Sequence, residues 1–408
     1  MGFAAVMNEF DSELCERLTA LHAEGLQREL RQVDSAQMPR ILLEGKPLLN
    51  FSSNDYLGLA NHPALKEAAI QAVDRYGAGS GASRLICGSL KPHHELEESL
   101  AEFKGTKAAL SFSSGYAAAL GTICALMGTN DIIILDKLVH ACIVDAARLC
   151  GAKLRVFPHN DLNDLEDRLR WADGKSPATG DLVRKARPRV LIVTESVFSM
   201  DGDHAPLRQM VELKNKYGAW LMVDEAHATG LYGANRRGLA EEHGVQRDIE
   251  VQMGTLGKAL GAAGGYICGS KCLIDYLVNK ARSFIFSTAP VPAAVAAASA
   301  GVRLVQSAVG EERRGELWER VSLLRPGITN HLSNERSAII PIHIGEETKT
   351  VETAQALRQR GIFIPAIRHP TVARGQARLR VTLTATHTKQ EVERLRAALA
   401  AVKREATI

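Results

Sequence analysis

A chain of 408 residues, 46% hydrophobic and 24% charged, can bury a full core and has the composition of an ordinary water-soluble globular protein. Its net charge of +4 is spread along the chain without a basic stripe, which argues against nucleic acid as a partner, and no apolar run reaches membrane-spanning length. The seven scattered cysteines fit no zinc or redox spacing and Met1–Met7 is cut off by polar Asn8–Asp11, so reduced thiols in a cytoplasmic setting, without a secretory leader, are expected.

Taken in order, residues 9–32 carry leucines among charges at helical spacing, Gly45-Lys-Pro47 marks a turn, and a helix is predicted from Pro63 to Tyr76. Gly77–Ala82 has the letters of a dinucleotide fingerprint but follows a helix rather than a strand, so a substrate-facing loop is expected instead. Short apolar strands are predicted at 108–112, 131–135, 154–157, 189–194, 220–224, 249–253 and 265–269. Helices alternate with them at 116–127, 141–150 and 207–217, and residues 168–188 read as a polar surface excursion. Such alternation predicts an α/β fold with a mostly parallel sheet covered on both faces. After Ala289-Pro-Val-Pro292 the texture changes to helices at 291–308 and 311–333, then short strands near 339–344, 362–365 and 378–382 and a closing helix from Lys389. The expected division is an N-terminal helical arm (1–50), a large α/β domain (51–289) and a smaller α+β domain (290–408).

Chemistry concentrates around Lys258, in the glycine-rich stretch Met253–Gly265. Glycines let another body approach the backbone, and a desolvated lysine favours the free amine that forms Schiff bases. The loop alone fits a solvated surface lysine equally well. Upstream, the strand Trp220–Asp224 ends in an acid with His227 three residues on, where ligands gather in parallel sheets. Acid, histidine and lysine together suit pyridoxal phosphate: the lysine takes the aldehyde, Asp224 keeps the ring nitrogen protonated, and His227 donates to the phenolic oxygen. Ser113–Ala117 sits between strand and helix, where free N–H groups make a phosphate seat or a plain helix cap. His140, just past a strand end, is placed to stack on a planar ring, although alone it reads as a helix-start or core histidine. Asp224-Glu-Ala-His227 spells a helicase box, but no upstream Gly-Lys has the required leading glycine. His93-His94 with Glu97 and Glu98 reads as a solvated helix start, so no metal is expected.

Several segments together resemble the α-oxoamine synthases, pyridoxal-phosphate enzymes of fold type I: Phe51–Leu59 (FSSNDYLGL), Thr194–Asp203 (TESVFSMDGD), Val223–Gly230 (VDEAHATG) and Thr255–Lys258 (TLGK). The resemblance runs from about residue 25 to the end, and Ala366–Thr371 with Ala377–Leu383 favours the biotin-pathway branch. It implies pyridoxal 5'-phosphate as cofactor, condensation of L-alanine with a pimeloyl thioester on CoA or a carrier protein, and a homodimer with shared active sites. Its siblings use glycine with an acetyl thioester, or serine with a long acyl thioester. It further implies that Lys258 holds the cofactor and acts as base, Asp224 pairs with the ring nitrogen, His227 with the phenolic oxygen, and His140 stacks on the ring. The amides of Gly115 and Tyr116 and the Thr255 hydroxyl would hold the phosphate, Ser199 would lie near the ring, and Ser287 and Thr288 would reach the partner subunit's phosphate. Arg380 would grip the amino-acid carboxylate, and Arg28, Asn54 and Thr371 would contact substrate. Ala228 stands where the family commonly has glycine, and His369-Pro370 where Pro-Pro is common.

Overall fold

Strands that are apolar along both faces need cover on both faces, and the chain supplies it. The computed structural model describes residues 8–174, 188–328 and 335–405; the apolar Met1–Met7 and most of the 168–188 excursion lie outside them. The N-terminal part comprises α1 (Glu9–Ala23), β1 (Arg40–Leu43), β2 (Lys46–Asn50), α2 (Pro63–Tyr76) and α3 (Lys91–Lys104). Alternation then runs through β3 (Ala108–Phe112), α4 (Gly115–Leu126), β4 (Ile132–Asp136), α5 (Ala141–Leu149), β5 (Lys153–Phe157), α6 (Leu162–Asp173), β6 (Val190–Glu195), α7 (Leu207–Tyr217) and β7 (Trp220–Asp224). It closes with α8 (Leu239–Glu242), β8 (Val251–Thr255), β9 (Gly265–Gly269), α9 (Lys271–Lys280) and α10 (Arg282–Ile285). The C-terminal part holds α11 (Pro292–Gln306), α12 (Ala308–Leu324), β10 (Ile339–Gly345), α13 (Glu347–Gln359), β11 (Ile362–Phe363), β12 (Ala366–Ile367), β13 (Ala377–Thr382) and α14 (Lys389–Glu405).

The main sheet has the order β3-β9-β8-β7-β6-β4-β5, parallel from β8 to β5, with β9 antiparallel to both its neighbours. Alternate side chains feed two cores: Ile133, Leu135, Val193 and Met222 face one, and Ile132, Ile134, Ile192 and Val223 face the other. This is the expected α/β architecture with a smaller C-terminal unit. Because β6, β7 and β8 are parallel and in register (Glu195 beside Asp224, Asp224 beside Met253), their carboxyl ends open on one edge.

Three expectations shift. The helix expected over 9–32 stops at Ala23, because Gly25 takes a left-handed φ of 65° and Leu26 folds back to donate to the Leu21 carbonyl. The strand expected over 362–365 is confined to Ile362–Phe363, and it pairs with β2 in parallel, which knits residues 46–50 to the C-terminal part. Helix 311–333 gives way to a short 3-10 turn at Arg325–Gly327, where Pro326 interrupts it; residues 329–333 lie outside those described. Gly77–Ala82 is irregular and docks on the segment before α11: Ala289 N–H donates to the Ala82 carbonyl at 3.0 Å and Ser83 bridges Thr288. Among the described residues no single helix is long and apolar enough to cross a membrane.

Candidate active site

The edge formed by β6, β7 and β8 gathers the groups predicted from sequence. Asp224 ends β7, buried; its Oδ1 accepts Ala226 N–H at 2.9 Å, and among the described residues its Oδ2 takes no hydrogen bond. The tight turn after Asp224 brings His227 round so that its Nε2 lies 2.7 Å from Lys258 Nζ. Its Nδ1 lies 2.6 Å from the Tyr56 hydroxyl. As an ammonium Lys258 can only donate, so Nζ donates to His227 Nε2, the imidazole proton sits on Nδ1 and is given to the Tyr56 oxygen, and the Tyr56 proton goes to Asn54 Oδ1 at 3.2 Å. Arg380, on β13, donates from Nη1 to Asn54 Oδ1 at 3.1 Å and from Nε to the Ser199 carbonyl at 2.5 Å. One network thus joins Lys258, His227, Tyr56, Asn54, Arg380 and Ser199.

Electrostatics follow from burial. Burial pulls Lys258 down to about 8, against Asp224 and Glu195, which favour the ammonium. Burial raises Asp224, with Lys258 opposing, and holds His227 neutral, well below its ordinary range. His140 caps α5, its Nδ1 accepting Cys142 N–H at 3.2 Å; burial lowers its affinity for protons while Asp224 raises it. Lys258 and Asp224 therefore act on one another and share His140 as a neighbour.

At the start of α4 the Ser114 hydroxyl accepts Ala117 N–H at 3.0 Å, leaving the Gly115 and Tyr116 amides as the free donors of the first turn. Gly265 packs under this turn: a Cβ there would lie 2.5 Å from the Ser114 carbonyl oxygen and 2.6 Å from Gly115 Cα and N. Thr255 stands beside it, its hydroxyl donating to the Gly264 carbonyl at 2.9 Å and its Cβ 3.8 Å from where a Gly115 Cβ would be.

Other predicted residues fall elsewhere. Arg28 is exposed and donates to the His369 carbonyl at 3.1 Å, and Thr371 N–H donates to the Arg368 carbonyl; among the described residues neither bonds to the Lys258 network. Ser287 and Thr288 lie beside the 77–86 loop, with Thr288 exposed, and among the described residues they join no site hydrogen bond. Two residues went unassigned from sequence. Tyr56 lies inside the Phe51–Leu59 segment, and Glu195 ends β6 next to Asp224. Glu195 is buried, its Oε2 accepts Ser199 N–H at 3.1 Å, and burial with Asp224 beside it pushes it up to about 8. The signal for Glu195 was a second acid at a strand end, one strand away from the first.

The chain matches the family "aminotransferase class I and II" over residues 46–399. It is 46% identical over 391 residues to an 8-amino-7-oxononanoate synthase of Geobacter sulfurreducens, covering 95% of this chain and 97% of that protein. A namesake from Citrifermentans bemidjiense is 47% identical over 381 residues, covering 93% and 95%. The chain is an α-oxoamine synthase. Solved relatives agree in fold: a serine palmitoyltransferase from S. paucimobilis with bound PLP–myriocin aldimine superposes with TM-score 0.89 at 29% identity, covering 98% of this chain and 100% of that one. An 8-amino-7-oxononanoate synthase from Francisella tularensis gives TM-score 0.72 at 27% identity, covering 88% and 98%.

As an α-oxoamine synthase the chain takes pyridoxal phosphate, and its residues fit that group. An amine, a buried carboxylate with one oxygen that takes no hydrogen bond among the described residues, a neutral histidine whose Nε2 faces the amine, and a helix start with open amides match the cofactor's aldehyde, ring nitrogen, phenolic oxygen and phosphate in kind. Gly265 keeps the start of α4 free of a side chain from β9.

Proposed function

We propose that the protein condenses L-alanine with a pimeloyl thioester, on CoA or a carrier protein, releasing carbon dioxide and free thiol and yielding 8-amino-7-oxononanoate for biotin synthesis. We infer further that it works in the cytoplasm as a homodimer with shared sites. The observation that carries the reaction is the Lys258–His227–Tyr56–Arg380 network beside buried Asp224, in a chain 46–47% identical to synthases of that name.

Pyridoxal phosphate, when bound, supplies an electron sink for negative charge at the amino acid's Cα. Gly115 and Tyr116 amides with the Thr255 hydroxyl would hold its phosphate, Asp224 its ring nitrogen, His227 its phenolic oxygen, and His140 one ring face. Lys258 Nζ, neutral in a useful share of molecules near pH 8, removes the Cα proton and returns one after carbon dioxide leaves. Arg380, braced by Asn54 and the Ser199 carbonyl, holds the alanine carboxylate and so fixes which Cα bond stands ready to break. Arg28 and Thr371, on the exposed face near His369, suit the acyl portion. The dimer is supported by apolar side chains left in the open beside Ser287 and Thr288: Ile86 is 78% and Phe286 70% exposed.

Serine palmitoyltransferases superpose with a higher TM-score than the Francisella protein, which gives the sibling reaction one observation in its favour. Backbone shape is common to the whole group, whereas 46–47% identity over nearly the full chain is not matched by the 29–31% of those structures. Mass spectrometry of products after offering alanine, glycine and serine with pimeloyl, acetyl and palmitoyl thioesters decides. The expected product is 8-amino-7-oxononanoate; a dominant glycine or serine product would replace the assignment with a sibling's.

A further inference from the structure

Outside the residues assigned above, a partly buried charged cluster stands at the same edge of the sheet. His159 follows β5, and the next residue, Asn160, takes a left-handed φ of 56° and donates its N–H to Asp136 Oδ2 at 2.9 Å, tying the turn to the end of β4. Its Nδ1 lies 3.0 Å from Asp136 Oδ1 at the end of β4, and its Nε2 lies 2.6 Å from Asp203 Oδ2. The Phe198 ring packs edge-on against it at 4.3 Å. A neutral imidazole has one N–H and can satisfy one of these carboxylates; the doubly protonated ring satisfies both. Burial works against that charge, but the hydrogen bonds that the ring donates to Asp136 and Asp203 outweigh it and keep the proton on to about 10.

The cluster fixes a loop that reaches the substrate side. Phe198 N–H donates to the Asp203 carbonyl at 3.0 Å and Gly202 N–H to the Phe198 carbonyl at 2.8 Å, so residues 198–203 form one closed turn. Its outer side meets β13: the Ser199 carbonyl accepts Arg380 Nε, and Asp201 pairs with Arg378. Its inner side is held by Glu195 at Ser199 N–H and by His159 at Asp203.

We propose that His159, bridged between Asp136 and Asp203, is a positioning residue for Arg380, fixing the 198–203 turn whose Ser199 carbonyl orients the guanidinium. It holds only with Arg380 on the substrate carboxylate, as proposed above, so both are tested together. Cofactor-loaded protein is titrated with L-alanine and, separately, with L-alaninamide, which lacks the carboxylate, while the visible spectrum is followed. His159→Gln should weaken alanine by about tenfold and leave alaninamide within about twofold, with cofactor retention unchanged, because a guanidinium displaced by a fraction of an ångström loses a directional contact and little else. Asp203→Asn, which keeps the shape of the cluster, should shift the same ratio the same way and carries the test if the histidine variant does not fold. Unchanged alanine affinity in both variants, or equal loss of alanine and alaninamide, overturns the role of His159. In the unaltered background Arg380→Ala should abolish the preference for alanine over alaninamide. If it does so while His159→Gln does nothing, the His159 role alone falls; if it does not, the carboxylate assignment falls and the positioning role with it.

Discussion

Lys258 offers the sharpest test, because its chemistry depends on how much of it is neutral. In water the ammonium titrates near 10.5; in the folded chain burial brings it to about 8. At pH 7 that raises the neutral share from ~0.03% to ~10%, roughly 300-fold. Between pH 6.5 and 9 the share climbs from ~3% to ~90%, about 30-fold. The assay is capture of pyridoxal phosphate by cofactor-free protein, followed by visible absorbance in a stopped-flow instrument and divided by the rate for a free alkylamine at the same pH. A midpoint near 8 is expected. The sign for stability agrees: unfolded lysine still holds its proton between 8 and 10.5 while the folded group has lost it, so Lys258's contribution to the cofactor-free fold is present above 10.5 and is lost as pH falls through 8. A normalised rate that stays flat to pH 9, or a midpoint near 10.5, would refute the desolvation argument.

Three further outcomes are expected. Lys258→Ala should abolish the visible absorption of bound cofactor, and a spectrum unchanged by it removes Lys258 from the site. Gly265→Ala puts a methyl against backbone atoms of Ser114 and Gly115 that have no side chain to yield; a loss of about 1–3 kcal/mol in stability and weaker cofactor retention should appear by thermal melting and equilibrium dialysis. Wild-type values in both would show that the seat is looser than drawn. Tyr56→Phe removes the hydroxyl that is hydrogen-bonded to His227 Nδ1 and contacts Arg380, and a fall in kcat of about tenfold, with a shifted visible band, is expected from spectra and steady-state rates.

How far these groups could be foreseen depended on whether local chemistry or long-range pairing set them. Helices at 63–76 and 207–217 and strands at 108–112, 220–224 and 265–269 have the predicted limits, because caps and breakers mark them in the chain: Pro63 after the His62 cap, and a left-handed Gly218 between α7 and β7. Asp224 and Lys258 were legible because each follows an apolar strand. The partnership of β11 with β2 was not, since nothing in four residues of apolar sequence names a strand more than three hundred positions away. Tyr56 stayed hidden for a similar reason: its hydroxyl is defined by His227 and Arg380, which only the fold brings to it. Glu195 went unassigned because one acid at a strand end looks complete until its neighbour in register is known.

The Phe51–Leu59 segment belongs to the first sixth of the chain, yet its backbone is fastened near the end: the Phe51 carbonyl accepts Thr382 N–H, and the Tyr56 carbonyl accepts Ala385 N–H, both at 2.8 Å. Asn54 is 326 positions from the arginine it braces. During synthesis, Lys258, Asp224, His227 and the start of α4 all emerge before residue 290, whereas Arg380 and the backbone that holds Phe51 and Tyr56 wait for residues 377–385. The segment that carries Tyr56 to His227 is thus pinned by the last strand and the residues just after it, so the two halves of the network are completed in one late step.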